Sequence, residues 1–258
     1  IRWLQAITRF QATHSGGPNF AYTLCVRKIP QSQRATLDLS RWRVAYNAAE
    51  PIRRETLEQF AEAFRPSGFR WNAFYPAYGL AEATLLVSTR RTSDEPVFSA
   101  PQQNGPEQVN PTAGASPGQP RVPMLVGCGH AVHDTKIVIA HPETMTRCAP
   151  GEVGEIWVSD PSVARGYWNR PEETAQTFRA FLSDTGEGPF LRTGDLGFLK
   201  DEELFVSGRI KDLIIIRGQN HYPQDIEWTV QESHPALRPG CCAAFSVDAS
   251  GEEQLVLL

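Results

Sequence analysis

Four short segments of this 258-residue sequence set polar side chains or glycine at the end of a strand-like run. They are Asn47-Ala48-Ala49-Glu50-Pro51, Tyr78-Gly79-Leu80-Ala81-Glu82, Leu191-Arg192-Thr193-Gly194-Asp195, and Gly208-Arg209-Ile210-Lys211-Asp212 with a further glycine at Gly218. Strand ends are where α/β folds present their ligands, so these positions point to a small-molecule site. Other chemistries find less support. His130-Ala131-Val132-His133 lacks the i, i+4 spacing and the glutamate of a zinc protease and reads as a histidine pair in a turn. No Gly-x-Ser-x-Gly elbow is present, which disfavours a Ser-His-Asp hydrolase. The five cysteines (Cys25, Cys128, Cys148, Cys241, Cys242) are odd in number and form no CxxC pair, so they read as reduced thiols rather than a disulfide framework or zinc knuckle. Cys241 and Cys242 flank an apolar stretch and read as buried structural thiols.

The composition narrows the partners. With 41% hydrophobic and 21% charged residues the chain has the makings of a globular core, and a formal charge of −4 lacks the basic excess of a nucleic-acid binder. The longest aliphatic run, Leu213 to Ile216, is too short to span a bilayer, and no charged-then-apolar leader is seen, so the expected setting is cytoplasmic. The sequence opens on Ile1 and stops within the strand-like Gln254 to Leu258; the expectation is a piece of a longer protein.

The four segments need elements to hold them. Trp42 to Asn47 alternates as a strand, and Leu57, Phe60, Ala61 and Phe64 follow at helical spacing, with Pro51 suited to a first turn and Pro66-Ser67-Gly68 to the stop. A second strand near Trp71 to Tyr75 leads through a Tyr-Gly turn into a helix over Leu80 to Val87, the alternation of an α/β domain. Between Arg90 and Pro123, Pro96, Pro101, Pro106, Pro111, Pro117 and Pro120 exclude an ordinary helix or central strand. Two readings stand for this segment, a surface loop and an inserted functional element. Strands follow over Thr135–Ala140, Gly154–Ser159, Glu203–Ser207 and a buried Asp212–Arg217. A helix over Pro171–Phe181 sets Ala175, Phe178 and Phe181 on one side. A helix over Gln224–Ser233 and a strand over Ala243–Val247 begin a new α/β unit near Lys211.

In this order and at these separations the four segments resemble the core motifs of the adenylate-forming enzymes, and most nearly those of the fatty acyl-AMP ligases. Ser15-Gly16-Gly17-Pro18-Asn19-Phe20-Ala21-Tyr22 is similar to that family's acyl-pocket segment, and Phe74 to Thr84 to its adenine and magnesium motif. Gly154-Glu155-Ile156-Trp157-Val158, Gly166-Tyr167-Trp168 and Ile214 to Pro223 extend the likeness. The resemblance implies an α/β fold: the later part of the large AMP-binding domain over 1–209, with α/β layers and a strand-rich subdomain, then the start of a small α/β domain over 210–258. The proline-rich 90–123 falls where that family carries an insertion that resembles a wedge restraining the small domain, so that coenzyme A is not used.

The resemblance also implies roles. Tyr78 and Gly79 would pack adenine, closed by Ala48, Ala49, Glu50 and Pro51; an ordinary core tyrosine is the alternative for Tyr78. Glu82, one helical turn on, would ligate the Mg²⁺ of Mg·ATP. Asp195 would accept from the ribose hydroxyls with Arg209 as a second contact, and Lys211 would sit at the hinge between the domains. His14, Gly16, Gly17, Asn19 and Phe20 would line the acyl pocket, a packed histidine being the other reading of His14. Ala81 replaces the hydroxyl residue of many relatives, as in the acyl-AMP ligase branch. The family's phosphate loop would precede Ile1 and its late catalytic lysine would follow Leu258, so these 258 residues alone are expected to be inactive. The implied reaction is ATP-dependent conversion of a fatty acid to acyl-adenylate and transfer to an acyl carrier protein. Its rivals are a fatty acyl-CoA synthetase and a non-catalytic nucleotide- or acyl-binding module.

Overall fold

The computed structural model describes residues 1–92, 94–101, 124–216, 219–238, 240–249 and 252–258. Most of the proline-rich stretch, and Gly218, therefore lie outside the described residues. The architecture is mixed α/β, as the sequence implied.

The first layer runs α1 (Arg2–Phe10), β1 (His14–Gly17), α2 (Asn19–Lys28), the single-turn α3 (Gln31–Arg34), β2 (Val44–Asn47), α4 (Arg54–Phe64), β3 (Phe74–Leu80) and β4 (Leu85–Thr89). β1, β2 and β3 are parallel neighbours, and β4 returns antiparallel to β3. Leu57, Phe60 and Phe64 recur at helical spacing on α4 and are fully buried. They meet Tyr22, Trp42, Phe69 and Phe74 in an aromatic core, with ring centroids 5.0 Å apart for Tyr22–Phe60 and 5.3 Å for Trp42–Phe69.

β5 (Phe98–Ser99) pairs with β6 (Leu125–Val126), and β7 (His130–Ala131) adds to β4 at the edge of the first sheet. β8 (Lys136–Ala140), β9 (Gly154–Ser159), β10 (Leu191–Lys200) and β11 (Glu203–Arg209) form an antiparallel sheet in the order β11-β10-β9-β8, with α5 (Pro171–Phe178) between β9 and β10. Tyr78 and Val87 from the first sheet share a core with Ile156, Val158, Leu191 and Leu204 from this one. That shared core brings the end of β3 beside β10. Next come β12 (Ile214–Ile216), β13 (Gln219–His221), α6 (Pro223–Ser233), β14 (Ala244–Ala249) and β15 (Glu252–Leu257), the strands forming two antiparallel hairpins. Arg53 ties α6 to the first layer: its Nη2 donates to the Gln224 carbonyl at 2.7 Å and its guanidinium lies 4.7 Å from the Trp228 ring.

Several expectations are corrected. Pro51 is not in a helix, because the Arg53 N–H donates to Asn19 Oδ1 at 3.2 Å and holds the segment extended until α4 begins at Arg54. Trp71–Ala73 is a 3₁₀ turn, and the strand that follows continues through Tyr78-Gly79 to Leu80. The run Leu80 to Val87 is not a helix: a 3₁₀ turn at Ala81–Ala83 and positive φ at Thr84 and Leu85 send it back as β4. Gly79 permits that return, since a Cβ there would sit 1.5 Å from the Leu85 carbonyl oxygen. α5 stops at Phe178 because Ala180 leaves the helix to bridge Phe190, so Phe181 falls outside it and is exposed; Ala175, within the helix, lies on its exposed side. In the aliphatic run only Ile214–Ile216 is strand, and Ile215 is exposed because its hairpin has one covered face. Cys241 is exposed and Cys242 half-buried, since the chain turns inward only at Ala244; Cys25 and Cys128 are the buried thiols.

Candidate functional site

Asp195 is the centre of the site. It was expected in a turn, but Thr193-Gly194-Asp195 is a bulge within β10, where the register against β9 shifts between Arg192 and Leu196 and Gly194 takes φ +71°. Asp195 is 7% exposed. Its Oδ2 accepts from the Tyr78 hydroxyl at 2.7 Å and its Oδ1 from Arg209 Nε at 3.1 Å, Arg209 being its cross-strand partner on β11. A carboxylate has about four acceptor positions, so about two remain for a ligand. Burial, and then the Asp195 charge, push the Tyr78 phenol well above its ordinary range, so it stays a neutral donor.

Two adjoining clefts share Asp195, Arg209 and Lys211 as walls. One, of about 670 Å³, is lined by Ala49, Glu50, Pro51, Tyr78 and Gly79, and mixes apolar and polar surface. The other, of about 530 Å³, is lined by Glu82, Glu155, Tyr167, Arg192 and Thr193 and carries carboxylates facing cations. Thus the expected nucleotide residues converge, Ala48 excepted, which lines neither cleft. Glu82 reaches its place from the 3₁₀ turn after β3 rather than from a helix face. Its carboxylate accepts from the Tyr167 hydroxyl at 2.6 Å, a bond that pushes the Tyr167 phenol up to about 12. Lys211 lies in the 3₁₀ turn Ile210–Asp212 between β11 and β12.

The expected acyl-pocket residues disperse. His14 is exposed and paired to Thr13 Oγ1 at 2.8 Å, and Gly16 lies on β1 under the Tyr46 ring with Gly17 beside it. None of the three lines these clefts. Asn19 and Phe20 border a third cavity, of about 710 Å³, between α2, α4 and α6. Asn19 is buried and its amide is taken up by Thr56, Asn47 and the Arg53 N–H. The Phe20 N–H donates to Glu50, which joins α2 to the nucleotide-side loop.

Glu155, Arg192 and Tyr167 are site-lining residues that carried no assigned role in the sequence. For Glu155 a signal existed: it is the one charge in the otherwise mostly apolar strand Gly154–Ser159. As for a metal, no cluster of three or more His, Cys, Asp and Glu side chains suited to one is found among the described residues. Of the cleft's carboxylates, Glu155 is paired to Arg192 and Asp195 to Arg209, whereas Glu82 accepts from the neutral Tyr167 hydroxyl and is the hard oxygen donor best placed to hold a cation. That fits Mg²⁺, which takes one or two carboxylates and otherwise phosphates and water.

Comparison with known proteins decides the family. The AMP-binding enzyme family matches residues 1–168. The chain belongs to the AMP-binding enzymes. Among AMP-binding relatives, it is 55% identical over 260 residues to the medium-chain-fatty-acid–[acyl-carrier-protein] ligase JamA of Moorena producens, covering 100% of this chain and 44% of that protein. It is 39% identical over 264 residues to the long-chain-fatty-acid–AMP ligase FadD23 of Mycobacterium tuberculosis, covering 100% of this chain and 43% of the relative. The fold is that of the fatty acyl-adenylate ligase of Legionella pneumophila, solved with acyl adenylate and pyrophosphate, at a TM-score of 0.72 and 46% identity over 99% of this chain and 44% of that one. The chain therefore spans less than half the length of the relatives it matches. All five cysteines are free thiols, and no described helix is long and apolar enough to cross a membrane.

Proposed function

We propose that the full-length protein containing these residues activates a fatty acid with ATP to an acyl-adenylate and passes the acyl group to an acyl carrier protein in the cytoplasm. The observation that carries this reading is Asp195: a buried carboxylate, braced by Tyr78 and Arg209, with acceptor positions left over at the wall shared by two clefts. Ribose hydroxyls are the donors such a group would take, in a family that binds AMP. Residues 1–209 are assigned to the large domain and 210–258 to the start of the small one, with Lys211 at the pivot.

In this reading adenine lies in the larger cleft against Tyr78, between Gly79 and the Ala49-Glu50-Pro51 loop, which Ala48 joins to the end of β2. The phosphates extend toward Glu82, and Mg²⁺ held there would neutralise part of their charge. The fatty carboxylate oxygen attacks the α-phosphorus, the bond to the β-phosphate oxygen breaks, and pyrophosphate leaves. The carrier thiol, giving its proton to solvent, then attacks the acyl carbon and releases AMP. The chain's own residues bind and orient; positioning and charge neutralisation are what this reaction asks of them. His14, Gly16, Gly17, Asn19 and Phe20 are assigned to the acyl side, with Asn19 acting through the Glu50 and Arg53 segment.

The test is fatty-acid-dependent exchange of labelled pyrophosphate into ATP by the full-length protein. Exchange that requires the fatty acid is expected. ATP binding with no exchange on any fatty acid would point to a non-catalytic nucleotide-binding module.

A further inference from the structure

β9 is buried over Gly154–Val158, and Glu155 within it is 2% exposed. A carboxylate so placed has to be fully bonded. Its Oε2 accepts from the Trp157 indole at 2.9 Å and from Arg192 Nε at 2.9 Å, with Arg192 Nη2 at 2.8 Å. Its Oε1 accepts from the Gly194 N–H at 3.1 Å. Both β10 donors belong to the bulge that carries Asp195, which opens between the register pairs Arg192↔Trp157 and Leu196↔Glu155. Thr193 fastens the same bulge, donating to the Ile156 carbonyl at 2.7 Å and accepting from the Asp195 N–H at 3.1 Å. A bulge withdraws backbone groups from the sheet ladder, and Glu155 is the acceptor that Gly194 finds instead. Glu155 is buried and the Arg192 side chain only half-buried, and ion pairs drawn out of water are poor stabilisers compared with apolar packing, so this pair invites another explanation than stability.

We propose that Glu155 is a positioning residue for the nucleotide: through the Arg192 guanidinium and the Gly194 amide it fixes the bulge and thereby aims the Asp195 carboxylate. The inference rests on the reading of Asp195 as a nucleotide ligand. Glu155→Gln tests it in the full-length protein. The amide keeps the shape but has one acceptor oxygen, which serves either Gly194 or the Arg192 and Trp157 side and not both.

Two readouts are taken: exchange of the Gly194 amide hydrogen, and AMP binding by calorimetry. Gly194 exchange should rise, and AMP affinity should fall about tenfold, the size seen when a ligand group loses the partner that orients it. Phe198→Leu serves as the control, since Phe198 is a buried β10 residue stacked on Phe205 away from the bulge. It should lower Tm and leave AMP affinity unchanged.

E155Q that binds AMP as wild type does overturns the inference, as does a control that weakens AMP equally. So does a wild-type Gly194 amide that exchanges as freely as an exposed loop amide, a result that needs no variant to fold. Wild-type protein that binds no AMP overturns the functional reading and this inference with it, whereas equal binding by wild type and E155Q overturns the inference alone.

Discussion

Replacing Asp195 by alanine should cost the full-length protein most of its grip on the nucleotide, and the structure sets the size of the loss. Both carboxylate oxygens are already engaged, one by the Tyr78 hydroxyl at 2.7 Å and one by Arg209 Nε at 3.1 Å. The Arg209 pair is weak support, because the arginine side chain is 58% exposed and such pairs contribute ~0–1 kcal/mol. The remaining acceptor positions are what the ribose would use. Hydrogen bonds to a charged group contribute about 1.5–3 kcal/mol, which is about ten- to 150-fold in Kd. Asp195→Ala also strands the buried Tyr78 hydroxyl, so Tm should fall; Tyr78→Phe removes that hydroxyl and should cost stability while leaving a carboxylate for the ribose. Calorimetric titration with ATP reads affinity in both variants. Wild-type ATP affinity in the alanine variant, or an equal loss in Tyr78→Phe, would refute the assignment of ribose to Asp195.

Three further outcomes are expected. Tyr167→Phe frees Glu82 from the 2.6 Å hydrogen bond, so the Mn²⁺ affinity of the protein–ATP complex, followed by electron paramagnetic resonance, should change while ATP affinity without metal holds; no change in Mn²⁺ affinity would remove Glu82 from the metal site. Arg53→Ala deletes both the bond to Gln224 and the stacking on Trp228, worth about 2 kcal/mol together, so α6 amides should exchange about thirtyfold faster while α4 amides are unaffected; uniform change across both would contradict the tie. Burial and the Glu203 charge push the Cys128 thiol up to about 12, so at pH 8 a thiol reagent should label Cys241 and spare Cys128. Because that folded value lies above an unfolded one of about 8.5, the stability it contributes is complete below about pH 8.5 and is lost as pH rises toward the folded value. Cys128→Ala should flatten this part of the pH–stability curve, and an unchanged slope would contradict the shift.

Much of the site was legible because its key groups recur as types at strand ends: Tyr78, Asp195, Arg209 and Lys211 converge as their segments suggested. The strands expected over Thr135–Ala140 and Gly154–Ser159 were legible too, the first beginning one residue later at Lys136, since β-branched and aromatic residues bounded by turns leave little choice. Leu80 to Val87 misled because a short apolar run carries no unambiguous period. What decides it is the close approach of Gly79 to Leu85, a contact between strands that only the fold creates. The Thr193-Gly194-Asp195 bulge and the part played by Glu155 were hidden for a related reason: both depend on register between β9 and β10. Asn19 read as pocket polarity and proved to be a buried brace, because its partners Thr56, Asn47 and Arg53 lie on other elements.

The central claim concerns where the activated acyl group goes. It is tested most directly by giving the full-length protein a fatty acid, Mg·ATP and equal amounts of coenzyme A and a phosphopantetheinylated acyl carrier protein, and reading all products by mass spectrometry. The account predicts acyl-adenylate and acyl-carrier protein with little acyl-CoA. Acyl-CoA as the dominant product, or no acyl-adenylate at any point in the time course, would contradict it.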